Sequence, residues 1–201
     1  MSMGTPKQPE ETKRTLLASA VKLMRKKGYE ATSVDDICRE AKLTKGSFFH
    51  HFKDKEELAL AALDSFCNCQ GAEMSRRKGE KDPLARLDGL IDKIIRMGAS
   101  PDAMDGCLIG NFAQEVSETH PDLRTACAGK FGDLARTIKK ELDEAKKMYT
   151  PKAGVDTESL AYHFISVLQG SHVVAKATRD TKVIGRNLRH LKEYFHTLFK
   201  K

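Results

Sequence analysis

Tryptophan is absent from this 201-residue chain, aromatic residues make up only 6% of it, and proline occurs six times. With rings and chain-breakers so scarce, and Ala, Leu, Lys and Glu abundant, the composition argues against a strand-rich architecture and predicts an all-α fold. Also missing is any run approaching the roughly 20 apolar residues needed to cross a bilayer, so no membrane partner is expected. Met1 to Glu10 is polar and has no apolar centre of a signal peptide. The expected localisation is cytoplasmic.

Cysteines are few and odd in number. Cys38, Cys67, Cys69, Cys107 and Cys127 have no framework spacing, which in a cytosolic chain predicts free thiols. Cys67-Asn-Cys69 sets two thiols too close to ligate well from one helix face, and no His or Cys pair completes a metal set. No phosphate-binding loop and no nucleophile elbow is found. A triad built on Cys107 and a distant His has no supporting spacing. The chain is therefore expected not to be an enzyme, with no cofactor and no metal.

What is present suffices for a substantial core, since 40% of residues are hydrophobic. The length accommodates one large domain or a small head on a larger body. Charge favours the second arrangement. Residues 1–55 hold 12 Lys/Arg against 7 Asp/Glu, a net of +5, whereas the remainder holds 23 against 21, a net of +2. The excess sits where a polyanion contact would need it.

Hydrophobic spacing predicts about nine helices. The first spans about 10–27, with Leu16, Leu17, Ala20, Val21, Leu23 and Met24 as its apolar stripe. Gly28 follows a basic last turn as a C-cap, and Tyr29 can pack back on the helix end. Ser33 and Asp36 have the spacing of a capping box, opening a short helix whose Val34, Ile37 and Ala41 face inward. Lys42-Leu43 forms a turn and Thr44 caps the next helix, in which Phe48 and Phe52 share one buried face. Further helices are expected at about 55–76, 83–97, 106–118, 121–148, 156–178 and 181–200.

Two short helices joined by a tight turn, the second opening with small and basic residues, have the form of a helix-turn-helix (about 33–52) that enters the DNA major groove. Tyr29-Glu-Ala-Thr-Ser-Val, Ile37-Cys-Arg-Glu-Ala and Lys45-Gly-Ser-Phe-Phe-His-His-Phe-Lys-Asp-Lys-Glu-Glu-Leu58 stand in the order and spacing of a known head. The segment from about residue 10 to 60 resembles, without a gap, the DNA-binding head of the TetR/AcrR family of bacterial transcriptional regulators. Asp105-Gly-Cys-Leu-Ile-Gly-Asn111 and Leu168-Gln-Gly-Ser are family-like as well.

The residues agree with that resemblance. Gly46 lets backbone approach a base or sugar. Lys45 can reach a purine acceptor or a phosphate, and Ser47, His50, His51 and Lys55 suit phosphate oxygens. Ser33 offers a hydroxyl and the positive end of a helix dipole. Phe49 stands where the family usually has tyrosine, leaving contact with a sugar or thymine methyl. Lys42 replaces the usual turn glycine, so a left-handed backbone there would cost about 1 kcal/mol. The expected division is a three-helix head at 1–56, in which Thr44 is a further candidate DNA contact, and a ligand-binding and dimerisation domain at 57–201.

A single helix reads few base pairs, so a twofold homodimer on a pseudo-palindromic operator of double-stranded DNA is expected. Leu160, Phe164, Val167, Leu168, Ser171 and Val174 form one stripe for that interface, and Leu188, Leu191, Phe195 and Leu198 another; the same stripes also suit packing within one subunit. Leu90, Ile94, Met97, Leu108, Phe112, Phe131 and Phe164 are candidate walls of an inducer pocket, although at helical spacing they are first of all core. Cys107, expected in the first turn of a helix where the dipole can lower a thiol pKa, is a candidate sensor of electrophiles or oxidants, with Lys176 as a possible stabiliser of the thiolate. A small apolar role on a buried helix fits Cys107 equally. The resemblance implies a repressor released by a small ligand or by thiol modification, through movement of the 55–76 helix. The alternative is an all-α protein-interaction module that does not bind DNA.

Overall fold

The computed structural model describes residues 9–73, 80–149, 151 and 154–199, with side chains for all of these except 69–73. Within them the chain forms nine α-helices: α1 Pro9–Lys27, α2 Val34–Ala41, α3 Lys45–His51, α4 Lys55–Glu73, α5 Pro83–Gly98, α6 Leu108–Glu115, α7 Pro121–Met148, α8 Thr157–Thr178 and α9 Lys182–Phe199. One 3₁₀ turn, Pro101–Asp105, stands in the stretch expected as loop. The expected end of the α4 helix near Arg76, the metal-ligand reading of Cys69 and the end of the last helix at Lys200 lie outside the described residues.

Two compact units result. The first takes in residues up to 69 together with 108–127, more chain than the head expected at 1–56. Its core gathers the four-residue repeat Leu16, Ala20 and Met24 of α1, Ile37 and Ala41 of α2, and Phe48 and Phe52 at the start and close of α3's buried face, all 5% exposed or less. Leu58 and Leu63 of α4, Leu108 and Phe112 of α6, and Leu123 of α7 complete it.

Local chemistry sets the helix ends. Ser33 and Asp36 form the expected capping box, the serine hydroxyl accepting from the Asp36 backbone N–H while the carboxylate accepts from that of Ser33. Lys42 ends α2 in the left-handed region at φ 54°, ψ 45°, its N–H donating back to Arg39. Gly28, at φ +93°, ends α1. The positive φ favours glycine, and a β-carbon there would lie 2.7 Å from the Glu115 carboxylate oxygens and displace them.

The second unit comprises 70–73, 80–107 and the described part of 128–199, and closes around Leu84, Ile91, Ile138, Phe164, Leu188 and Phe195. Asp82 caps α5 with Pro83 behind it. The Arg86 guanidinium donates to Glu141 at 2.7 Å, bonds Glu144, and reaches the Lys81 carbonyl at 2.9 Å. Glu141 is only 6% exposed, so this charge is held in the interior by a paired cation, as burial requires. Helices α8 and α9 run against each other, with Asn187 donating to the Ser171 hydroxyl at 3.1 Å. Against α5, α9 places His196 at 2.9 Å from Asp88 and Lys192 at 3.1 Å from Asp92. No helix among the described residues is long and apolar enough to cross a membrane.

Candidate nucleic-acid interface

Helix α3 is too short to stand alone and is held by its apolar face. Phe48 is fully buried and Phe52, whose N–H closes the helix on the Phe48 carbonyl, is 3% exposed. That anchorage turns the rest of the helix outward. Thr44 caps it, its hydroxyl oxygen accepting from the Ser47 N–H at 3.1 Å and lying 3.0 Å from the Ser47 hydroxyl. Lys45, Gly46, Phe49 and His50 are exposed, and Ser47 and His51 half-buried.

Gly46 is informative because the protein's own packing does not ask for it. A β-carbon at that position would meet nothing nearer than the Thr44 hydroxyl, at 3.7 Å. Phe49 is 57% exposed, a large apolar ring kept in solvent beside a basic residue. Its edge contact with Phe48, centroids 5.1 Å apart, holds it on the outer side of the helix. His50 and His51 stack edge to face at 4.9 Å.

Ser33 is more committed than the sequence suggested. Its hydroxyl donates to Asp36 at 2.9 Å while accepting the Asp36 N–H, so its proton is already spent on the capping box. Asp36 also receives Lys27 at 2.7 Å and Arg39 at 3.0 Å. The Lys27 hydrogen bond first, then those from Ser33, hold the Asp36 carboxyl well below the usual carboxylate range.

Lys55 departs further from expectation. Its ammonium sits 4.0 Å over the Tyr29 ring and donates to the Tyr29 carbonyl at 3.1 Å. The reason is that Tyr29 folds under the helix end and is 2% exposed, offering an aromatic face and a carbonyl together. Burial, with Glu56, Glu30 and Asp54 nearby, pushes the Tyr29 phenol up to about 12. Lys55 is thus engaged inside the unit, with 23% of its side chain exposed.

Two features were not foreseen. Lys45, the outermost cation of α3, forms an ion pair with Asp35 of α2 at 2.8 Å, which raises the lysine pKa. On α6, Glu115 accepts the Tyr29 and Glu30 N–H groups at 2.8 and 3.0 Å, and Asn111 donates to the Arg25 carbonyl at 3.0 Å. These two residues, one helical turn apart, hold the end of α1 and the start of the α1–α2 turn. Asn111 closes the family-like Asp105–Asn111 run, the one sequence signal pointing to it.

The expected ligand residues fall into two groups. Leu108 and Phe112 are wholly buried in the first unit's core, where Phe112 packs edge-on to Tyr29 at 5.7 Å. Phe131 and Phe164, with Leu90 and Ile94, belong to the second unit's core. Met97 is half-buried and Lys176 exposed. Cys107 is half-buried and precedes α6 instead of lying in its first turn, because Gly106 at φ 80° delays the helix to Leu108. A shallow groove of about 450 Å³ on α1 and α2 is lined by charges of both signs, among them Arg14, Lys22 and Glu40, and by none of these residues.

The interface stripes also sort differently. Leu160, Phe164, Leu168 and Ser171 of α8 and Leu188, Leu191 and Phe195 of α9 are buried in their own subunit. The apolar side chains left outside are Tyr162, Val173 and Val174 of α8 and Tyr194 of α9, between 43% and 49% exposed. Between them on α8 lies Gly170, with nothing within 4 Å of a β-carbon.

Comparison with known proteins bears on both units. Residues 16–62 match the model of bacterial regulatory proteins of the tetR family, and residues 83–191 that of the tetracyclin repressor-like C-terminal domain. An uncharacterized HTH-type transcriptional regulator in the lacX 3' region of Lactococcus lactis is 30% identical over 192 residues, covering 94% of this chain and 96% of that protein. The transcriptional regulator AcuR of Cereibacter sphaeroides is 28% identical over 166 residues, 81% of this chain and 75% of its own. Among solved structures, a TetR transcriptional regulator from Chloroflexus aurantiacus superposes with a TM-score of 0.82 at 26% identity, covering 92% of this chain and 94% of that one.

Proposed function

The chain belongs to the TetR family of bacterial regulatory proteins and is a DNA-binding transcriptional regulator, and we propose that it acts in the cytoplasm as a homodimeric repressor released from a pseudo-palindromic operator by a small ligand or thiol modification. The observation that carries the DNA-binding site is the outward segment Thr44-Lys45-Gly46-Ser47 with Phe49, in which packing does not require the glycine and a large ring is left exposed. Lys45 supplies donors for purine acceptors or phosphate, Gly46 permits close approach, and the hydroxyls of Thr44 and Ser47 with His50 and His51 meet phosphate oxygens. Phe49 covers a sugar or thymine methyl. Ser33 contributes chiefly through the α2 dipole and Lys55 by holding Tyr29.

Residues 1–56 serve as the reading head and 57–201 as the ligand-binding and dimerisation part. The exposed Tyr162, Val173 and Val174 of α8 and Tyr194 of α9 support pairing with a second copy, since covering them removes apolar surface from water. Two heads held by that pairing read two half-sites about one helical turn apart. Release is a population shift, driven by the inducer's differential affinity for two states. Cys107 stands immediately before the helix whose Asn111 and Glu115, four and eight residues on, hold the end of α1 and the α1–α2 turn, so a change at that thiol acts on the start of that helix.

An electrophoretic shift on DNA upstream of the chain's own gene tests this reading. Specific retardation is expected there, with affinity falling steeply as salt rises. Lys45→Ala should abolish it or relax its sequence preference while the melting temperature stays at the wild-type value. A chain that retards no DNA specifically would instead support a protein-interaction module.

A further inference from the structure

We propose that Asp35 is a specificity-determining residue of the DNA-binding head, and that it acts with Lys45 as a two-residue reader of one G·C base pair in each half-site. This rests on the reading of α3 as the DNA-facing helix. The two side chains are joined at 2.8 Å, Lys45 Nζ donating to Asp35 Oδ1, and both are more than half exposed.

The pairing is not an element of the fold. Of the three carboxylates in α2, Asp36 completes the capping box and takes Lys27 of α1, and Glu40 takes Lys22 of α1. Asp35 alone of these three turns to the recognition helix. An ion pair this exposed adds little to stability, because water screens it and two side chains are restrained to form it. A carboxylate facing DNA phosphates also opposes binding. Its presence beside the outermost cation of α3 therefore calls for a benefit in the complex.

That benefit follows from the donor and acceptor inventory. A lysine ammonium is a compact charge with three donors on a flexible stem, and alone it satisfies any phosphate within reach. With one N–H directed to Asp35, the head of Lys45 is held at one place and keeps two donors. Guanine offers two acceptors in the major groove, O6 and N7, and its partner cytosine offers the N4 donor. The pair thus presents donors from Lys45 beside acceptor oxygen from Asp35, the complement of a G·C edge. An A·T edge sets a thymine O4 acceptor and a methyl where the carboxylate needs a donor. The paired charges also cancel at a distance, so Lys45 adds less to sequence-independent attraction. Selectivity rises from both sides, by favouring one edge and by weakening every wrong one.

The test uses the full chain and a randomised duplex pool, with selections run in parallel for wild type, Asp35→Asn, Lys45→Ala and the double variant. Wild type should enrich a G·C pair at one position per half-site, and Asp35→Asn should lose that preference. On a random-sequence duplex, Asp35→Asn should bind severalfold more tightly, with a log K against log salt slope steeper by up to about 0.9 per head. Asp35→Glu should restore the preference. With Lys45 removed, the further change at Asp35 should leave the selected sequence unaltered. Melting curves confirm folding, and Asp35→Ser replaces Asp35→Asn if the amide lowers the melting temperature. An unchanged consensus together with unchanged non-specific affinity and slope overturns the inference while leaving the DNA-reading head intact. Failure of the wild type to enrich any half-site overturns the head itself.

Discussion

Around α3 the first unit leaves lysine, glycine, hydroxyls and one phenylalanine in solvent, whereas along α8 the second leaves Tyr162, Val173 and Val174. Both units close their interiors by the same means, apolar side chains at helical spacing driven inward by the cost of apolar surface in water. On α2 the ion pairs of Lys22, Arg39 and Lys45 are exposed and exchangeable, while in the second unit Arg86 and Glu141 are nearly enclosed. The interior holds each unit together; the uncovered residues are what a partner can reach. A polyanion suits the first surface and an apolar copy of itself the second.

The largest effect that could break this contrast lies in the first core. Phe52→Ala should cost about 3–5 kcal/mol, the range for a buried phenylalanine. Denaturant titration should show that loss, and DNA retardation should disappear with it. Retained α3 function in that variant would mean that the outward segment does not depend on the buried face.

A few kilocalories per mole are also at stake on α8, but in assembly instead of folding. Val174→Asp sets an unpaired charge on the face proposed for pairing, which in a closed interface costs about 3–5 kcal/mol. Light scattering should report a monomer with unchanged helicity and much weaker operator binding. A stable dimer from this variant would move the interface elsewhere.

The smallest change sharpens the role of the α2 charges. Because the folded Asp36 carboxyl lies below its unfolded value, its contribution is present above about pH 4, the ordinary aspartate range, and is lost as pH falls through the folded value. Asp36→Asn should therefore melt earlier than wild type at neutral pH, and the gap should close in acid. A gap that ignores pH would show that the box matters through geometry alone.

Much of the first unit was legible in order of residues. The capping box, the left-handed Lys42 and the burial of Phe48 and Phe52 involve partners within a few positions, so spacing reveals them. The site was legible in part. Lys45 and Gly46 stand where expected, but Lys55 was drawn inward by Tyr29, a partner 26 residues away. Helical periodicity left open which stripe of α8 packs inside the subunit. Leu160, Phe164 and Leu168 are the stronger stripe, and the stronger stripe goes to the nearest core, leaving Tyr162 and Val173 for outside contact.

By itself the order of amino acids determined the all-α class, the order of the helices and the caps of α2 and α3, because each depends on backbone preferences and periodicities within about two helical turns. Only the tertiary structure decided the pairing of Lys45 with Asp35, the grip of Glu115 on a turn 86 residues away and the apolar face left open on α8. Those depend on which helices meet, and no local pattern encodes the direction from which a neighbour arrives.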